Sequence, residues 1–290
     1  MNIITHTFRK HIGIIRNYPL AAIITLFSFA VTIWYGISIH KPLRGIGYIF
    51  AMWLAAFVTD ALTDAFPKTT IGFPIKKPVK NELFTILICT ALGCLFLFIR
   101  FRCGWEHMNQ WLRLAFIPLI LFTMPVVLAV IYLFRYQYKP KELGANIHYW
   151  YLALPIHLIV GGTTLLIAPE LSHWKEAFAQ MSIPGLLFTG LISAALPEEF
   201  IRMLLQTRLG KACNNVGLGF VTATFIWAAM HFFTESKNEI TIDWGSHAIR
   251  TITLLPVGFM WGYITHRTKS LLPAVLVHGF NLWGLQNIMG

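Results

Sequence analysis

The chain is expected to fold as an all-α, polytopic integral membrane bundle of eight or nine transmembrane helices, and three observations carry that expectation. Of its 290 residues, 56% are hydrophobic and only 12% charged, whereas about a quarter of the residues of a soluble domain carry charge. The apolar residues fall into runs of spanning length separated by short polar connections. The basic residues gather in those connections, as orientation signals do.

The first eighteen residues place Ile4, Phe8, Ile12 and Ile15 at helical spacing with Arg9, Lys10 and Arg16 between them, a pattern that predicts an interfacial helix. Apolar runs at 19–38, 45–66, 82–99 and 112–134 predict four spans, which with the leading helix make an amino-terminal region over 1–134. Runs at 148–167, 183–207, 217–233, 246–266 and 270–288 predict a carboxyl-terminal region over 135–290 of about five spans. The segment 168–184 after the fifth run also admits a re-entrant or interfacial reading, which leaves the total at eight or nine.

Lys and Arg number 14 in the amino-terminal arm and the even-numbered connections, against 7 in the odd-numbered ones. That asymmetry predicts a multi-pass protein of the cell membrane with a cytoplasmic amino terminus. A formal net charge of +11 would point to nucleic acid in a soluble protein. Here no polar stretch is long enough for such a platform, so the expected partner is the bilayer and not nucleic acid. Cys89, Cys94, Cys103 and Cys213 form no CxxC and no Cys/His array, so neither a zinc site nor a redox pair is expected; Cys103 is placed in a connection.

Charge inside the spans narrows the chemistry. PEEFIR at 197–202 sets Glu198, Glu199 and Arg202 within an apolar run, where each charge at the centre of a span costs about 2.5–3.5 kcal/mol unless it faces protein or water. Arg202 lies within helical reach of both glutamates, and one arginine neutralises only one of them. The other is then a candidate general base; the alternative is a pair that only locks helices together. Pro197 removes a backbone hydrogen bond at this turn and predicts a kink. His231 lies one turn after Trp227, and His278 and Asn281 share a face at i and i+3. They supply hydrogen-bond donors of the kind that stabilise an oxyanion, or else a polar clamp between helices. Asp60 and Asp64 read as an interfacial or structural pair, Arg250 as snorkelling or paired, and Gly258 and Gly262 as a GxxxG packing stripe.

Across roughly residues 135–288 these motifs resemble the CAAX-protease and bacteriocin-processing (CPBP, Abi) family of intramembrane endopeptidases. The family carries EExxxR, then FxxxH, then HxxxN or HxxxD on successive spans; this chain carries EEFIR at 198–202, WAAMH at 227–231 and HGFN at 278–281. Arg202 therefore comes one residue early, Trp227 stands for phenylalanine, and Asn281 falls at i+3. The resemblance implies a glutamic-type hydrolase without metal or other cofactor. In it Glu198 with His231 activates water, His278 with Asn281 forms the oxyanion hole, and Arg202 with Glu199 orients and balances charge. Ideal i to i+4 geometry would pair Arg202 with Glu198. Motif order, and the loosening of the turn by Pro197, favour Glu198 as the base instead. The implied substrate is a membrane-embedded protein or a lipidated peptide. Neither HExxH nor GxSG occurs in the chain. The rival readings are a non-catalytic immunity or scaffold protein of the same fold and a solute transporter, the latter predicting internal repeats that the chain does not display.

Overall fold

The structure, a computed structural model, describes residues 3–103, 109, 111, 125–171, 183–233 and 244–280. Among these every regular element is helical. Helix α1 (Ile3–Asn17) is followed by α2 (Pro19–Ser38) and α3 (Pro42–Ala65). Both of the latter open on a proline, whose missing N–H costs nothing in a first turn. Then come α4 (Val79–Cys103), α5 (Pro125–Arg135) and α6 (Ala153–Ile167). Residues 183–212 form α7, followed by α8 (Val216–Met230), α9 (Trp244–Thr268) and α10 (Leu272–Gly279). Cys103, expected in a connection, is instead the last residue of α4, the helix running on through Arg100 and Arg102 past the end of the apolar run.

Four described helical stretches are long and apolar enough to cross a membrane: Pro19–Ser38, Pro42–Ala65, Val79–Phe96 and Trp150–Ile167. The protein is a membrane protein of packed helices. Much of the 112–134 run, the 172–182 segment and everything after residue 280 lie outside the described residues.

Helix α9 is the centre of the bundle. Every residue from Leu254 to Gly262 is buried, so this stretch is packed on all sides rather than along one stripe. Pro256 lies inside it and can donate no backbone hydrogen bond. The fully buried Tyr48 of α3 wedges its hydroxyl into the loosened turn, donating to the Thr253 carbonyl at 3.1 Å and accepting from the Val257 N–H at 3.1 Å. An inserted side chain of this kind is one of the recognised causes of a helix bend.

Two polar clusters tie the periphery to this core. Helix α1 turns Ile4, Ile12 and Ile15 outward and docks its other face on α3. There Lys10 reaches Asp60 and Asp64 at 2.9 Å each, and His11 meets Asp60 at 2.9 Å. Arg267 of α9 bonds both carboxylates, and Tyr263 donates to Asp60. Asp60 and Asp64 thus join three helices, as their structural reading anticipated.

The second cluster was not anticipated. Arg208 of α7, counted among the connection charges, is fully buried against the equally buried Glu82 of α4, with Nε donating to Oε2 at 2.7 Å. Tyr138 donates to Glu82 Oε1 at 2.6 Å, Tyr132 to Oε2 at 3.2 Å, and the Lys77 N–H to Oε1 at 3.0 Å. The remaining Arg208 nitrogens donate to Thr207 Oγ1 at 2.7 Å and to the Pro74 carbonyl at 3.3 Å. Burial, and after it the hydrogen bond to Glu82, push the Tyr138 phenol up to about 12, so it remains a neutral donor.

Candidate active site

Helix α7 begins as one α-helical turn, widens to π geometry over Leu187–Ala195, and returns to α geometry at Leu196. Pro197, at the start of the returning stretch, cannot bond to a preceding carbonyl, and the wide turns absorb that mismatch. Where the sequence predicted a kink, the helix is therefore rewound, which resets the direction in which the next residues point. Gly190 in the wide segment meets Gly279 of α10 backbone to backbone, leaving no room for a Cβ on either. This contact draws His278, the neighbour of Gly279, against α7.

The two glutamates face different surroundings. Glu199 is sealed, with a side chain 0% exposed, and pairs with the equally buried Arg202 three residues on. Its other oxygen, Oε1, lies 3.0 Å from His278 Nδ1. Glu198 remains 24% exposed. Its Oε2 accepts from Trp227 Nε1 at 2.6 Å and lies 3.7 Å from both His231 Nε2 and His278 Nε2. His231 sits immediately past α8, its Nδ1 3.0 Å from the Trp227 carbonyl. A main-chain carbonyl and an ion-paired carboxylate only accept, so each histidine carries its proton on Nδ1 and turns Nε2 toward Glu198.

Two indoles close the floor. Trp227 and Trp261 meet edge to face at 5.6 Å, and the Arg202 guanidinium lies 5.2 Å and 5.7 Å from their ring centroids. Arg202 Nε and Nη1 have no hydrogen-bond partner among the described residues, so the indole faces stand in as the cation's neighbours. Gly258 allows this approach: a Cβ there would lie 2.7 Å from both the Trp227 ring and Thr224. Gly262, one turn on, faces Phe220, Gln206 and Arg202, so the GxxxG stripe packs α9 against α7 and α8.

Five of the six residues singled out from the sequence, Glu198, Glu199, Arg202, His231 and His278, meet in this one constellation. Asn281 lies outside the described residues. Trp261 gave no signal in the sequence, being one indole in an apolar run, yet its ring stacks on His278 with centroids 3.7 Å apart and planes at 11°.

A carboxylate open to water between two imidazole nitrogens, with a sealed ion pair behind it, is equipped to take a proton from water and return it. The family model described as Type II CAAX prenyl endopeptidase Rce1-like matches residues 179–283, the stretch that brings Glu198, Glu199, Arg202, His231, His278 and Asn281. The CPBP family resemblance is thereby supported, and the matched family is one of proteases. No curated protein and no solved structure matches the chain.

Proposed function

We propose that this chain is an intramembrane endopeptidase of the glutamic type, hydrolysing a peptide bond in a membrane-embedded or lipid-tethered protein with water activated by Glu198 and His231. The observation that carries this reading is the division of labour between adjacent carboxylates. Arg202 neutralises Glu199, while Glu198 stays open and within 3.7 Å of two histidine nitrogens.

In this reading a water held by Glu198 Oε2 and His231 Nε2 donates a hydrogen bond to each and turns a lone pair toward the scissile carbonyl. As the oxygen–carbon bond forms, one proton passes to Glu198, and as the carbon–nitrogen bond breaks the same proton passes to the leaving amine. The oxyanion needs donors, and the hydrogen bond from Nδ1 to Glu199 means that His278 can donate from Nε2 only as an imidazolium. Two carboxylates, one guanidinium and one imidazolium then sum to zero, the arrangement a low dielectric tolerates best. Asn281 joins His278 as a second oxyanion donor on the strength of the family pattern. The same reading takes the chain as eight or nine spans of the cytoplasmic membrane with its amino terminus in the cytoplasm.

The displaced Arg202 and Asn281 favour a second reading, a scaffold of the same fold without activity. Purified protein in lipid vesicles, given a library of lipid-tethered fluorogenic peptides, separates the two. Cleavage that disappears in Glu198→Gln supports the protease. Cleavage equal in wild type and Glu198→Gln overturns the assignment of the base, and none with any substrate favours the scaffold.

A further inference from the structure

We infer that Trp261 is a positioning residue for His278, holding the imidazole plane against the indole face so that Nε2 stays turned toward Glu198; this rests on the oxyanion role proposed above. His278 is fixed at one edge by the 3.0 Å bond from Nδ1 to Glu199. One hydrogen bond leaves the ring free to swing about that axis, and Nε2 would then sweep away from Glu198. The stack at 3.7 Å and 11° removes this freedom.

The indole nitrogen argues for the same role. Trp261 is 3% exposed and its Nε1 has no hydrogen-bond partner in the described structure, although its ring borders a cavity shared with His157 and Met260. A buried N–H without an acceptor opposes folding. Phenylalanine would fill much of the space without that burden, so the tryptophan is not explained by stability. What the larger ring adds is π surface, and that surface lies on His278 and, more distantly, on Arg202. The titratable and charged groups around His278 are Glu198, Glu199 and Arg202 on α7, His231 after α8, and His157 on α6, which bonds the Leu276 carbonyl of α10.

The test compares Trp261→Leu, which removes the face, with Trp261→Phe, which keeps one. Trp261→Met replaces the leucine variant if that does not fold. Loss of the face is expected to lower kcat about tenfold with KM changed by about twofold or less. Trp261→Phe is expected to restore most of the turnover. A second measurement needs no substrate: ethoxycarbonylation of individual histidines by diethyl pyrocarbonate, followed by mass spectrometry. Without the indole face His278 should react several-fold faster, while His231 keeps its rate. Equal His278 reactivity in wild type and Trp261→Leu, or an unchanged kcat, would overturn the inference. Faster His278 modification in a protein that cleaves nothing would instead leave the stack standing and remove the proteolytic reading.

Discussion

Helix α7 carries two buried arginines less than two turns apart, each paired with a buried glutamate, and the two pairs are built in opposite ways. Around Glu82 and Arg208 both carboxylate oxygens are satisfied by tyrosine hydroxyls and a backbone N–H, and the guanidinium donates to a carboxylate, a hydroxyl and a carbonyl. Around Glu199 and Arg202 the guanidinium is faced by indole rings, two of its nitrogens lack acceptors, and the spare carboxylate oxygen is spent on a histidine. A saturated pair has no capacity left and holds α4 to α7. The unsaturated pair sits behind an open carboxylate and orients the group beside it. Buried ion pairs contribute little net stability because desolvation offsets attraction. Their surroundings, rather than their presence, therefore separate a lock from a site.

The largest expected effect tests that separation directly. Glu198→Gln should reduce turnover about 10²–10⁴-fold with no change in thermal midpoint, since Glu198 stands outside both pairs. A similar loss of activity accompanied by unfolding would remove the distinction.

Arg208→Met should act the other way, leaving Glu82 buried and alone at a cost of about 3–5 kcal/mol while each folded molecule still turns over. Replacing both partners, Glu82→Leu with Arg208→Met, should recover most of the lost stability, as a double-mutant cycle in detergent would show. A single variant as stable as wild type would mean that Glu82 is not held as a buried charge. Glu199→Gln lies between these cases, with an expected loss of about tenfold in turnover, equivalent to about 1.4 kcal/mol, because His278 keeps an acceptor but loses a charged one. If Glu199→Gln were inactive and Glu198→Gln active, the roles of the two carboxylates would be reversed.

An exposed pair supplies the weak end of the scale. The Lys76 ammonium, and after it the Lys139 N–H, hold the Glu142 carboxyl below its usual range. A depressed carboxylate pKa adds stability that is present above the unfolded value, near about 4.3, and is lost as pH falls through the lower folded value. Lys76→Ala should therefore cost less than about 1 kcal/mol at neutral pH and nothing in acid, measurable as a melting difference that vanishes on acidification. The smallest effect expected is that of chelation. Turnover should survive strong chelators if, as proposed, Glu198 and His231 act on water directly. Activity lost to a chelator and restored by zinc, for which two histidines and a carboxylate are a common ligand set, would turn the open site into a metal centre.

The sequence alone was enough for an all-helical membrane protein and for singling out five polar residues that the structure brings together, because both rest on local costs. Runs of apolar residues have one stable use in a bilayer, and a carboxylate, histidine or arginine inside such a run must find a partner or a purpose. Glu198, Glu199, Arg202, His231 and His278 were legible for that reason, as were the GxxxG contact and the structural role of Asp60 and Asp64; the docking of α1 on that pair was not. Which glutamate Arg202 takes stood between two arguments. Ideal helix geometry favoured Glu198 and motif order favoured Glu199, and in the structure Arg202 pairs with Glu199 while the Trp227 indole holds Glu198. Arg208 read as a connection charge and Trp261 as one more apolar residue, since nothing in their own stretches of chain announces Glu82 or His278 as neighbours. Pairing across helices depends on the rotation and approach of whole elements. Those are decided by packing among residues far apart in the chain, and only the tertiary structure contains them.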